Sequence, residues 1–183
     1  MYDFAADPAL PKPELYRELV AAADGLTAGE PDAVANMANL AALLGQLVPD
    51  LNWAGFYRLL GDELVLGPFS GKPACIRIPL GQGVCGTAAA SAQSLLVADV
   101  HAFPGHIACD AASRSELVVP VLRAGEVVAV IDLDSPVPGR FDTEDQAGIE
   151  ALAALVADRI WTPLKRPDSG HGGRRAWKPG VTR

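Results

Sequence analysis

Apolar residues recur at helical spacing in PELYRELVAAADGL and DAVANMANLAALLGQLV, so residues 12–48 are predicted to form two helices separated by TAGEP, with Pro49 ending the second. From Leu51 the period changes. NWAGFYRLL and ELVLGPF read as strands joined at Gly61-Asp62, CIRIPL alternates as a further strand beginning at Cys75, and Gly81-Gln82-Gly83 opens a short helix, VCGTAAASA. SLLVADV is another strand. HAFPGHIACDAAS is too long and too polar for a tight turn, whereas SELVVPVLRAGEVVAVIDLDS is two long strands around Ala124-Gly125, the clearest hairpin in the chain. Asp142-Thr143-Glu144-Asp145 supplies an acidic cap to a last helix running towards Trp161. This order of elements predicts one α+β sandwich rather than alternating βαβ units.

The 183 residues, half of them apolar, suffice for one substantial core but not for two ordinary domains. A net charge of −7 hides an asymmetry: residues 1–164 carry 9 basic and 21 acidic side chains, and the last 19 carry 6 and 1. An acidic body repels phosphate backbones, so nucleic-acid binding is disfavoured. No stretch approaches the roughly 18 apolar residues of a membrane helix, and the acidic, Pro-rich start does not look like a leader. The expectation is a cytoplasmic protein with no membrane partner. Residues 1–14 read as an N-terminal extension, 15–162 as the folded domain, and 163–183 as a basic, disordered tail. GQGVCG imitates a phosphate-binding loop, but without the βαβ context or the Lys-Ser/Thr of a P-loop it reads as a tight turn into a helix.

Three cysteines, Cys75, Cys85 and Cys109, do not make the framework of a small secreted domain. Taken singly, each is best read as a small buried hydrophobe. Placement argues otherwise for two of them, since Cys85 falls in the first turn of a helix and Cys109 in the long irregular segment. The intervals of 9 and 23 residues contain no CxxC pair, so zinc fits poorly, with His106 and Cys109 a weak candidate pair. On thiol chemistry alone Cys85 is the best thiolate, because a helix N-terminus lowers its pKa.

Asp132 and Asp134 stand two apart in a strand and share a face. Glu116 joins them if the hairpin loop has three residues with Gly125 as a left-handed bulge; a two-residue loop would turn it to the other face. The bulged register is the one expected. Three carboxylates at one hairpin end would repel one another and raise at least one pKa, the alternative being a solvated strand end. Trp53 and Tyr57, four apart, also share a face, either as core or as an apolar wall for a methyl or thioether group with the tyrosine hydroxyl making a polar contact.

The segments GPFSGKPACIRIPLGQGVCGTA, DVHAFPGHIACDAASRSELVVPV and IDLDSPVPGRFDTEDQ, in that order, resemble the free methionine-(R)-sulfoxide reductases, over roughly residues 15–160. That resemblance implies a GAF-like fold, with a central antiparallel sheet of about six strands and helices packed on it. It implies reduction of free methionine (R)-sulfoxide, with Cys109 as catalytic nucleophile, Cys75 as resolving thiol and Cys85 as a third thiol of less settled role. Glu116 is the first choice of acid, and Trp53, Tyr57, Asp132 and Asp134 fall on the substrate pocket. A homodimer, recycling by thioredoxin, a role in oxidative-stress repair, and chemistry needing neither metal nor organic cofactor are also implied. The competing expectation is a GAF-type module that binds a small ligand or senses redox state without turnover.

Overall fold

The structure is a computed structural model that describes residues 10–105 and 111–161. The two predicted N-terminal helices are α1, Lys12–Thr27, and α2, Ala33–Leu47, the latter capped by Asp32, whose side chain accepts from the Ala35 N–H. Helix α1 starts inside the stretch expected to be an N-terminal extension. The strands are β1, Trp53–Leu60; β2, Glu63–Gly71; β3, Arg77–Pro79; β4, Leu95–Val97; β5, Ser115–Arg123; and β6, Glu126–Ser135. Between β3 and β4 lies α3, Gly83–Ser91, and the chain closes with α4, Thr143–Val156, held by a reciprocal Asp142–Asp145 capping box.

All six strands form one antiparallel sheet in the order β3-β2-β1-β6-β5-β4. The α+β, six-stranded expectation holds. Strand alternation divides the sheet into two faces. Ala54, Phe56, Leu117, Val119, Ile131 and Leu133 pack with α1, α2 and α4 in the larger core. Trp53, Tyr57, Val118 and Val130 face the other way, into a smaller core with Val84, Cys85 and Ala88 of α3. Functional side chains belong to this second face, where one short helix covers the sheet incompletely.

The β5–β6 register corrects the expected route to the same result. Arg123 pairs with Glu126 and Leu122 with Val127, so the loop has two residues, not three. Both have positive φ, 51° at Ala124 and 84° at Gly125, as a primed hairpin turn requires. The register then steps between Val121, opposite Ala129, and Leu122, opposite Val127, leaving Val128 as the extra residue. The bulge therefore lies inside β6 rather than at Gly125, and it turns Glu116 to the face of Asp132 and Asp134. Among the described residues no helix is long and apolar enough to cross a membrane.

Candidate active site

Antiparallel pairing builds a row of side chains across the second face. Trp53 on β1 is opposite Asp134 on β6, which is opposite Glu116 on β5, and in the next row Gly55 is opposite Asp132. The carboxylates are not a solvated strand end. Glu116 and Asp132 are each 6% exposed, and with Asp134, Trp53, Tyr57, Cys85 and Ser113 they line a single cavity under α3.

Burial and mutual repulsion fix the protonation of this cluster. Burial first, then the charges of Asp132 and Asp134, pushes the Glu116 carboxyl well above the ordinary glutamate range. Asp132 is raised in the same way, by burial and then by Asp134. Its Oδ1 is buried and has no hydrogen-bond partner among the described residues. An acceptor in that state is prepared for a donor that arrives with a ligand.

Cys85 sits where it was expected, in the first turn of α3, but its chemistry is reversed. Its thiol is fully buried and points at the carboxyls, with Sγ 3.9 Å from Glu116 Oε1. Burial, then Asp132 and Glu116, pushes this thiol up. The helix terminus is outweighed, because desolvation and nearby carboxylates all disfavour a thiolate. Cys85 is a protonated donor to Glu116 rather than a standing nucleophile.

Cys75 is half-buried and disulfide-bonded. It does not begin a strand as expected: it lies in the loop after β2, and β3 starts two residues later at Arg77. Cys85 is a free thiol. Cys109 and the weak His106–Cys109 metal pair lie outside the described residues, as does the basic tail.

The aromatic residues form a wall, with Trp53 stacked on Tyr57, 5.8 Å between centroids at 24°, and on Phe69, 5.4 Å at 13°. Its Nε1 donates to the Lys72 carbonyl at 3.1 Å, which fixes the indole's rotation. Gly55 leaves the floor open. A Cβ there would lie 2.6 Å from Trp53 Cη2 and 2.5 Å from Phe69 Cβ, closer than real contacts allow. Burial, then Asp132, pushes the neighbouring Tyr57 phenol far up, so its hydroxyl remains a donor.

Sequence reasoning missed Lys72, Gln82 and Ser113, all of which line the cavity. Lys72 stands inside GPFSGKPAC, beside Cys75, and that adjacency was the available signal. Ser113 accepts from Asn52 Nδ2 at 3.0 Å and carries no local signal. Cys85 Sγ and one oxygen each from Glu116 and Asp132 lie within 4.8 Å of one another, the described group spaced to share a cation.

A GAF domain profile matches residues 35–160. The free methionine-R-sulfoxide reductase of Escherichia coli K12 is 52% identical over 145 residues, covering 79% of this chain and 88% of the relative. This chain belongs to the free methionine-R-sulfoxide reductase family. Two solved structures of that family carry substrate. The free methionine-R-sulfoxide reductase of Neisseria meningitidis in complex with its substrate is 42% identical, with a TM-score of 0.83, covering 87% of this chain and 96% of that one. The Staphylococcus aureus enzyme, also in complex with substrate, is 43% identical with a TM-score of 0.76, covering 80% and 95%. The buried carboxyls and the indole wall line one cavity, the candidate active site, and the disulfide-bonded Cys75 follows its lining residues Lys72, Pro73 and Ala74 in the chain.

Proposed function

We propose that this protein reduces free methionine (R)-sulfoxide to methionine at the cavity under α3, and that the carboxyl cluster does two jobs. The observation that carries the reading is the cluster of buried, proton-retaining carboxyls against a tryptophan wall. Asp132 and Asp134 receive the substrate ammonium. Its arrival drives Asp132 towards carboxylate, and the unpartnered Asp132 Oδ1 gains a donor. Glu116 keeps its proton and donates it to the sulfoxide oxygen, making the sulfur electrophilic. Trp53 lies beside the methyl and thioether carbons.

Cys109 attacks the sulfur as the protonated oxygen leaves as water, and water then attacks Sγ of Cys109 in the resulting sulfonium, breaking the new sulfur–sulfur bond to release methionine and leave a Cys109 sulfenic acid. The sulfur of methionine is reduced by two electrons and that of Cys109 is oxidised by two. The Cys75 thiol then displaces water to give a disulfide, which thioredoxin reduces. Cys75 being disulfide-bonded supports this, and with Cys85 a free thiol, Cys109 is the chain's remaining cysteine. Cys85 supports the acid by its bond to Glu116.

The test is methionine release from free methionine (R)-sulfoxide with dithiothreitol and, separately, with thioredoxin and its reductase. Sustained release with both is expected. A disulfide that forms without any methionine would identify a redox sensor instead.

A further inference from the structure

The cavity under α3 gathers acidic groups from three separate elements, Cys85 from α3, Glu116 from β5 and Asp132 from β6, and their ligand atoms converge. Sγ of Cys85 and one oxygen of each carboxyl lie within 4.8 Å of one another, with Sγ 3.9 Å from Glu116 Oε1. Bonds of about 2.3 Å from zinc to sulfur and about 2.0–2.2 Å to oxygen set two tetrahedral ligands about 3.5 Å apart. Small side-chain rotations therefore close this set around a cation.

A second observation points to a ligand. Asp132 is 6% exposed and lines the cavity, yet its buried Oδ1 has no hydrogen-bond partner among the described residues. A cation satisfies such an acceptor as well as a donor does. The sulfur sets the class of ion, since magnesium and calcium take oxygen ligands, whereas zinc and its thiophilic relatives take sulfur and oxygen together. Three protein ligands leave the fourth tetrahedral position to water. Burial and like charge oppose ionisation here only while no counter-charge is present. A bound divalent cation supplies two positive charges and deprotonates a coordinating thiol outright, the proton leaving to solvent.

We propose that Cys85, Glu116 and Asp132 form an inhibitory site for a thiophilic divalent cation of the zinc class. The cation and the substrate exclude each other, because the cation ligates the carboxyl oxygens that would protonate the sulfoxide and receive the ammonium. That exclusion rests on the function proposed above. The binding of the cation stands on the geometry alone.

The experiment titrates the full chain in its disulfide form, where Cys85 is a free thiol, with cadmium chloride. Cadmium stands in for zinc because a cadmium thiolate shows an ultraviolet charge-transfer band. One equivalent is expected to bind with that band, and zinc is expected to erase it by displacement. Cys85→Ser should abolish the band. Glu116→Gln keeps the thiol and should weaken cadmium binding by at least about tenfold, the lower bound for losing even an outer-shell partner of a metal. No band in the parent, or equal affinity in the parent and Glu116→Gln, overturns the proposal. These readings need no turnover, so they decide the site whether or not the protein reduces a sulfoxide. Saturating free methionine sulfoxide should raise the apparent Kd for cadmium. A sulfoxide that binds the metal-free protein in calorimetry but leaves that Kd unchanged overturns the inhibitory role. A sulfoxide that does not bind the metal-free protein counts against the proposed function instead, and the band still decides the site.

Discussion

Glu116 stands directly opposite Asp134 across the β5–β6 ladder, and Asp132 lies one step along the same face. The pairing concentrates acid groups in one cavity, where burial and neighbouring charge raise the Glu116 and Asp132 carboxyls well above the range of exposed carboxylates.

Replacing Glu116 with Gln should remove the transferable proton while keeping shape and a hydrogen-bond donor. The rate of the first methionine release is expected to fall by about 10²–10⁴, with little change in substrate affinity. Single-turnover release at saturating substrate measures it. A rate within a factor of a few of the parent would move the acid to another carboxyl.

The same substitution should stabilise the protein. Burial raises the Glu116 pKa in the folded state, so the folded state binds more protons than the unfolded one once pH exceeds the ordinary glutamate value. Stability is therefore lost as pH rises from that value towards the raised one. Glu116→Gln has no such loss, and its Tm should exceed the parent's at pH 8 by more than at pH 4. Catalysis follows the same sign: kcat for the parent should fall as pH rises through the raised value, because the protonated form is the donor.

Asp132 and Asp134 predict discrimination against substrates without a free ammonium. Charge-assisted hydrogen bonds contribute about 1.5–3 kcal/mol each, so N-acetylation or peptide linkage should lower kcat/KM by at least about a hundredfold. Asp132→Asn should narrow that ratio by weakening the free amino acid alone. Equal kcat/KM for free and acetylated sulfoxide would refute the ammonium role.

The three thiols should separate kinetically. Cys109→Ser should give no methionine even once, since a hydroxyl is a weak nucleophile and cannot become a sulfenic acid. Cys75→Ser should release one methionine per subunit and then stall with thioredoxin. Cys85→Ser should keep most of the burst, because its thiol is buried and protonated. A full burst from Cys109→Ser with none from Cys85→Ser would place the nucleophile on α3.

Gly55→Ala tests the indole seat. The added methyl would collide with Trp53 Cη2 at 2.6 Å and with Phe69 Cβ at 2.5 Å. A cost of about 1–3 kcal/mol in stability is expected from such overpacking, together with a raised KM as the wall shifts. Urea unfolding and steady-state kinetics measure the two.

Much was determined by the sequence itself. Helical periodicity in residues 12–48, alternation in the later strands and the acidic cap at Asp142 are local signals, carried within a few residues. The two-apart spacing of Asp132 and Asp134 settled that they share a face, as strand geometry requires. Other features were decided only by tertiary structure. Whether Glu116 joined them depended on one extra residue, and local sequence did not distinguish a bulge at Gly125 from one at Val128. The charge state of Cys85 was misread for a related reason. Its place at a helix N-terminus is visible in the chain, but its burial against Glu116 and Asp132 comes from strands 31 and 47 residues away, and in a dry cavity desolvation and like charge outweigh a helix terminus.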